Sequence, residues 1–179
     1  MALRWQFVWL IGLFLSSTVL AQGINWEKTK DADFHAGFFP LHLDATSGAV
    51  FLEIHQLEQD FLYVNSLRTG LGSNDIGLDR GQLGDTRIVR FERHGDKVLL
   101  IQGNLEYRVN SSNQAERKAV EEAFAISVLW GFPIAEEKDG ALLIDLSTFL
   151  LQDAHGIAQR LKSGKQGSFQ VDPSRSAIY

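Results

Sequence analysis

The sequence predicts an α+β fold with mainly antiparallel β-strands and hairpins and two amphipathic helices. Three observations lead to this prediction. Apolar and polar residues alternate in short segments that end at turn residues, which is typical of half-buried strands. His94-Gly95-Asp96 joins two such segments and is typical of a hairpin turn. After Asn113, the apolar spacing changes to that of a helix.

The first 21 residues have the pattern of a cleavable signal peptide. Arg4 supplies a positive charge, residues 5–15 are almost wholly apolar, and Val19-Leu20-Ala21 matches the small-x-small cleavage pattern. The alternative is an uncleaved membrane anchor, but the apolar run is shorter than the roughly 20 residues that span a bilayer. We therefore expect a mature chain that begins at Gln22, is exported and has no stable membrane span.

The composition indicates one folded globular domain. Removing 21 of the 179 residues leaves 158, which is enough for a single domain with its own core. The net charge of -5 argues against a nucleic-acid partner, because binding to phosphates needs a basic surface. The chain has no cysteine and cannot use disulfides. These features favour a bacterial periplasmic or extracellular protein.

After the signal peptide (1–21), we expect an extended lead-in over residues 22–47 and an α+β domain over residues 48–179. Within the lead-in, Phe38 and Phe39 either dock to another surface or belong to the core. Glycines punctuate the segment from Thr69 to Asp85, which predicts a long, pliable loop. The strands are expected at Ala49–His55, Phe61–Ser66, Arg87–Arg93, Lys97–Gln102, Leu105–Val109, Trp130–Glu136 and Ala141–Asp145.

Two helices are expected, each with one apolar stripe. The first begins after Asn113, with Glu116 completing a capping box. The second begins near Ser147 and ends at Gly164, and Gly156 weakens its middle and divides it. The first stripe consists of Ala119, Val120, Ala123, Phe124 and Val128, and the second of Leu150, Ala154, Ile157, Ala158 and Leu161.

Zinc is the commonest hydrolytic metal of exported enzymes, and its usual helical motif is missing. The pattern His-Glu-x-x-His does not occur. His55 and Glu58 have His-x-x-Glu spacing, but no second histidine follows. We therefore assign no catalytic, cofactor-binding or metal-ligating residue in this chain. The histidines, expected to be surface or half-buried, are His35, His42, His55, His94 and His155.

Other catalytic or binding motifs are equally weak. Without cysteine or a Gly-x-Ser-x-Gly elbow, no nucleophile can be assigned. Asp153 and His155 have the spacing of a dyad, but their position on an amphipathic helix favours capping or solvation. The glycine-rich loop lacks the Lys-Ser/Thr of a P-loop, and Asp75, Asp79 and Asp85 do not have EF-hand spacing. We expect this loop to pack over a neighbour or a partner.

Several short segments follow one another in a distinctive order through most of the chain after residue 36. They are Gly37–Leu41, Gly48–Ile54, Asp60–Val64, Gly77–Gly81, Val89–Phe91, Phe124–Phe132, Asp153–Gly156 and Asp172–Ser176. No single segment is specific. In their order and spacing, they resemble the N-terminal domain of unknown function of large exported bacterial zinc-dependent metallopeptidases.

The resemblance implies a place next to a zincin-type catalytic domain, in the same polypeptide or gene. That domain would contain the His-Glu-x-x-His helix and the zinc, and no residue here matches the motif. The expected function is a non-catalytic domain that assists folding, occludes the catalytic cleft or holds substrate. Two alternatives are a free-standing exported binding module and an enzyme that uses an unrecognised constellation, so enzymatic activity stays an open question.

The resemblance also implies that the family's domain continues past Ser176 into further strands. Ala177-Ile178-Tyr179 is apolar, and Ile and Tyr favour strands. We therefore expect the domain over 48–179 to be incomplete at its C-terminal end, with an unpaired sheet edge.

Cleavage after Ala21 predicts one new N-terminus. Sequencing the protein recovered from the periplasm or the medium should give Gln22 as its first residue. Ala21→Arg should block cleavage, because the signal-peptidase pocket admits only small side chains. Recovery of intact Met1 from the unsubstituted protein in a membrane fraction would identify an anchor instead.

Overall fold

The computed structural model describes residues 24–70, 77–104, 109–124 and 126–178. The expected signal peptide (1–21) lies outside the described residues, and so do Gln22 and Asp75. Most of the strand expected from Leu105 to Val109 also lies outside them.

Strands supply most of the regular secondary structure in the described residues, which form an antiparallel sheet with a few short helices. The strands are β1 (Asp33–His35), β2 (Leu41–Asp44), β3 (Ala49–Ile54), β4 (Phe61–Tyr63), β5 (Arg87–His94), β6 (Lys97–Gln102), β7 (Ser127–Lys138) and β8 (Ala141–Asp145). They form one sheet in the order β1-β2-β3-β8-β7-β6-β5-β4. The α+β prediction is thus confirmed in its coarse form, with antiparallel pairing throughout the described strands.

The hairpin expected at residues 94–96 is present. His94 lies opposite Lys97, and the two-residue turn between them contains Gly95. Gly95 has a φ of 65°, a left-handed conformation that glycine adopts without steric cost. A similar tight turn joins β7 to β8, where Lys138 lies opposite Ala141.

The segment expected to be an extended lead-in takes part in the sheet. Strands β1 and β2 pair with each other, and β2 pairs with β3 through Leu43 and Val50. Short strands of three and four residues give little periodic signal, so alternation alone did not identify them. Within the same segment, Phe39 packs against the core whereas Phe38 is exposed.

The main hydrophobic core lies on one face of the sheet. Alternate residues of β3 point to this face, as the sequence predicted for Val50, Leu52 and Ile54. Phe149, from the helix that follows β8, covers the core and contacts the rings of Phe132, Tyr63 and Trp130. The buried cluster comprises Val50, Leu52, Ile54, Val89, Phe91, Val98, Leu100, Phe132, Leu142, Ile144, Leu146 and Phe149.

A smaller cluster lies on the opposite face of the sheet. Ala141 and Leu143 of β8 pack there against Trp26, which precedes a 3-10 turn at Glu27–Thr29. The N-terminal segment therefore covers the back of β3 and β8.

The first helix, α1 (Gln114–Ala123), begins where the sequence predicted. The side chain of Asn113 accepts a hydrogen bond from the backbone N–H of Ala115 at 3.0 Å. The Asn113 N–H, however, donates to Ser111 Oγ at 3.1 Å, so Ser111 takes the role predicted for Glu116. The apolar stripe differs from the prediction, because Ala119 and Ala123 are exposed. Val128, expected on the same stripe, belongs to β7.

The second predicted helix is divided into α2 (Ser147–Leu150) and α3 (Ile157–Ser163). Gly156 separates them with a φ of 63°. The Asp153 carboxylate accepts hydrogen bonds from the N–H groups of Ile157 and Ala158, both at 2.8 Å, and so caps α3. Among the described residues, no helix has the length and the apolar character that crossing a membrane requires.

The chain after α3 has little regular structure. A 3-10 turn at Pro173–Arg175 is capped by Asp172. Ala177 and Ile178, expected to start a strand, are not in a strand, and Tyr179 lies outside the described residues. Ile178 packs against the main core, which satisfies its apolar side chain without strand pairing.

Two leucine substitutions test the assignment of core and surface. Leu142→Ala should lower the free energy of unfolding by about 2–5 kcal/mol, because the side chain is 3% exposed and its loss leaves a cavity. The matched control, Leu62→Ala, changes a side chain that is 65% exposed and should cost less than about 1 kcal/mol. Urea denaturation of both variants measures the difference, and equal costs would contradict the described packing.

Candidate functional site

A buried carboxylate organises the back of the sheet. Glu53 of β3 is fully buried, and its Oε1 lies 2.8 Å from the Trp26 indole Nε1 and 2.6 Å from His42 Nε2. Its second oxygen, Oε2, lies 2.8 Å from Nε2 of His55. These four residues, here called the Glu53 cluster, bring together groups that are up to 29 positions apart in the sequence.

Strand alternation and the N-terminal segment together place the Glu53 cluster. Glu53 points away from the main core because it alternates with Leu52 and Ile54. The segment that contains Trp26 is fixed by a second carboxylate, Glu136 of β7, which accepts hydrogen bonds from the backbone N–H groups of residues 27 and 28 at 3.1–3.2 Å. Lys138 Nζ also donates to the carbonyl oxygen of residue 25 at 2.8 Å.

The three hydrogen bonds keep Glu53 ionised. Burial raises the pKa of the carboxyl group, while hydrogen bonds from His42, Trp26 and His55 lower it, and the net pKa lies below the ordinary value of 4.5. Both carboxylate oxygens are engaged, so the group has little capacity left to bind a ligand. The cluster therefore fixes the N-terminal segment and orients His55, whose side chain is half exposed.

Beside the cluster lies a cavity of about 290 Å³ under the N-terminal segment. Trp26, Thr29, Phe34 and His42 contribute to its walls. The Phe34 and His42 rings lie 5.3 Å apart. The lining of this small cavity thus combines ring side chains with polar and aliphatic groups.

A larger groove, of about 610 Å³, lies between α2, α3 and the chain after α3. Its apolar lining includes Leu150, Ile157, Ala158, Leu161, Phe169 and Val171. Leu150, Phe169 and Val171 are 43–55% exposed, so the groove opens to solvent. We call it the α3 groove. Its volume is within the range of ligand-binding and docking pockets.

The polar groups of the α3 groove are largely engaged in holding its walls. Asp153 caps α3, as described above. Asp172 accepts hydrogen bonds from the Ser174 N–H, the Ser174 hydroxyl and Arg175 Nε at 3.0, 2.6 and 2.6 Å. His155 also lines the groove, but its Nε2 is buried and has no hydrogen-bond partner in the described residues.

Most of the residue pairs whose spacing suggested a metal site or a catalytic dyad do not act together in the structure. His55 contacts Glu53 and not Glu58. Asp153 has the capping role, and its carboxylate binds backbone N–H groups. His35 is exposed, and His94 is exposed with Nε2 3.5 Å from Glu92.

The remaining candidates also do not assemble into a site. Asp85 pairs with Arg87 at 2.9 Å, and the Asp79 N–H donates to Gln82. Within the ranges that the structure describes, no group of three or more His, Asp or Glu side chains is arranged to hold a metal ion. The sequence analysis did not identify Glu53 as a candidate site residue. The only local sign of its role is that it is an acidic residue on the same side of the strand as Phe51 and His55.

Glu53→Gln tests the role of the Glu53 cluster. The variant keeps the shape of the side chain, but its amide cannot accept all three hydrogen bonds, and the free energy of unfolding should fall by about 1–3 kcal/mol at pH 7. Since the pKa of Glu53 is lowered by folding, its stabilising contribution is present above pH 4.5 and is lost as the pH falls through the folded pKa. The difference between the two proteins should therefore shrink below pH 4.5.

Chemical denaturation from pH 7 to pH 3 measures this difference. The exposed Glu58→Gln is the matched control and should change stability by less than about 0.5 kcal/mol at every pH. A pH-independent gap between the Glu53 variant and the parent would refute the ionised state of Glu53.

Comparison with known proteins identifies one family. A family model described as a domain of unknown function (DUF5117) matches residues 81–179, which is 99 of 179 residues. Neither the curated proteins nor the solved structures contain a match. The matched range includes every residue of the α3 groove except Leu67, whereas the Glu53 cluster precedes it. Because the model covers more than half of the sequence, this chain belongs to the DUF5117 family of domains of unknown function.

Proposed function

We propose that this chain is the non-catalytic N-terminal domain of an exported bacterial zinc-dependent metallopeptidase, and that its α3 groove holds another part of the same polypeptide. Export is supported by the signal pattern at residues 1–21. The peptidase context is supported by the ordered segments that resemble such N-terminal domains. Membership of the DUF5117 family supports the view that the chain contains a domain that recurs as a unit.

The observation that supports a binding role is that the polar groups of the α3 groove hold its walls, whereas its apolar side chains are left exposed to solvent. Its carboxylates, Asp153 and Asp172, are engaged in caps and turns, and the Nε2 of His155 is buried. Proton transfer needs a group within hydrogen-bond reach of a bound substrate. The groove instead presents half-exposed apolar side chains, which favour contact with a partner over chemistry.

The apolar surface of the groove can contribute useful docking energy. Fully burying a side chain such as Leu150 or Phe169 stabilises a complex by roughly 1.5–3 kcal/mol, and partial burial by proportionately less. When the partner segment belongs to the same polypeptide, its effective concentration is high and a modest intrinsic affinity is sufficient. A docked segment would assist folding, occlude the catalytic cleft or hold substrate.

Extending the chain tests this proposal. The reading frame is followed past codon 179, and the longer product is compared with the 179-residue chain by hydrogen exchange. We expect the frame to encode a His-Glu-x-x-His helix, and exchange at residues 147–176 to slow in the longer product because the groove is covered. Leu150→Asp should abolish this protection, since it puts a charge into the apolar contact.

Leu83→Asp is the matched control, because Leu83 is 62% exposed and does not line the α3 groove. It should leave the protection unchanged. A stop codon directly after codon 179 would favour the free-standing exported binding module. If the longer product contains a peptidase domain but hydrogen exchange at residues 147–176 is not slowed, docking at this surface is refuted.

A further inference from the structure

The cavity under the N-terminal segment has preformed walls. Trp26, Thr29, Phe34 and His42 line this space of about 290 Å³. Trp26 is 1% exposed and His42 is 4% exposed, and both side chains are bonded to the same oxygen, Oε1 of Glu53, at 2.8 and 2.6 Å. Because the Glu53 cluster already holds these walls in place, a ligand that enters the cavity does not have to order them.

His42 offers one hydrogen-bond acceptor to a molecule in the cavity. The ionised Glu53 carboxylate can only accept hydrogen bonds, so the hydrogen that joins the two groups is on Nε2 of His42. In the neutral ring, Nδ1 then carries a lone pair. Within the described ranges, Nδ1 has no hydrogen-bond partner. An O–H group of a ligand can therefore donate to it.

Thr29 supplies a second polar group without a partner. The residue is 6% exposed, and its hydroxyl makes no hydrogen bond in the part of the chain that the structure describes. The hydroxyl is still reachable, because His155 Nε2 is the one unpartnered side-chain atom among the described residues that is sealed from solvent. A buried hydroxyl without a partner is unfavourable, so a molecule that enters the cavity gains from bonding to it.

The charge and size of the cavity favour an uncharged molecule with a single ring. Lys30 is the only Lys, Arg, Asp or Glu on its lining, and Nζ of Lys30 is paired with Glu27. The volume is close to the lower limit of ligand pockets, which leaves room for one ring. Phe34 is 39% exposed, and its ring lies 5.3 Å from that of His42, so a bound ring can make edge or offset contacts with it.

We propose that this cavity binds a phenol, which is an uncharged aromatic ring with one hydroxyl group. The ring packs against Phe34, and the hydroxyl donates to Nδ1 of His42 and accepts from the Thr29 hydroxyl. The phenol is either the side chain of a tyrosine in a peptide or a free small molecule. A sugar has more hydroxyl groups than these two partners satisfy. The site is separate from the α3 groove and does not rest on the proposed function.

Titrations with three ring compounds test the proposal on the purified protein at pH 8, where free imidazole is neutral. The probes are p-cresol, 4-methylanisole, which has no O–H donor, and toluene. We expect p-cresol to bind at least fivefold more tightly than either of the others, because only p-cresol donates a hydrogen bond to the imidazole. In nitrogen-proton NMR spectra, the indole N–H signal of Trp26 should shift, whereas that of Trp130, which packs against the main core, should not.

Two substitutions separate the polar contacts from the ring contact. Thr29→Val removes the hydroxyl and nearly keeps the shape of the side chain, so it should weaken p-cresol about threefold to tenfold and leave toluene unchanged. Phe34→Leu should weaken both compounds because it removes the ring contact. The matched controls are Thr46→Val and Phe38→Leu, which change exposed residues outside the lining and should alter neither affinity.

The acetylated and amidated peptides Ala-Tyr-Ala and Ala-Phe-Ala distinguish the two sources of a phenol. Preferential binding of the tyrosine peptide supports a peptide ligand, and binding of p-cresol without either peptide supports a free phenol. Equal affinity for p-cresol, 4-methylanisole and toluene would overturn the proposal. It would also be overturned if the preference for p-cresol survived Thr29→Val in full, or if the Trp26 indole signal stayed in place at saturating p-cresol.

Discussion

Strand β7 holds the two halves of the sheet in one piece, because its 12 residues pair first with β6 and then with β8. Lys97 of β6 lies opposite Pro133, and Ile144 of β8 lies opposite the next residue, Ile134. The main core on one face depends on this continuity, since Phe132 and Ile144 meet the same cluster. The other face depends on it too, because Glu136 fixes the N-terminal segment that covers β3 and β8.

The two faces around this strand have different chemical characters. The back face is closed, and its buried carboxylate is satisfied by an indole and two imidazole groups. Beyond the core, the α3 groove is open, and its polar groups are used for caps and turns. A back face held by buried hydrogen bonds and an open apolar groove together are consistent with the docking role proposed above.

Local chemistry made part of this structure predictable. The 94–96 turn, the Asn113 cap and the break at Gly156 each depend on residues within a few positions of one another, so the sequence pattern identified them. The Glu53 cluster could not be predicted, because its partner Trp26 is 27 positions away and only the fold brings them together. The α3 groove could not be predicted from the sequence for a similar reason. The stripe that lines it was identified, but its opposite wall comes from Phe169 to Arg175, which has no periodic signal.

The pairing of β3 with β8 has a consequence for the order of folding. Leu52 lies opposite Ile144, 92 positions later, whereas the β5–β6 and β7–β8 hairpins close over two-residue turns. Closing a long loop costs more chain entropy than closing a short one, and non-local strand pairing slows folding. The meander from β5 to β8 can therefore form as a nucleus while β1–β3 are still unattached. His42 on the neighbouring β2 and the nearby His55 can reach Glu53 before this closure, whereas Trp26 packs against Ala141 and Leu143 of β8. The indole partner of Glu53 therefore arrives with β8, and the burial of its charge is completed only in the late step of assembly.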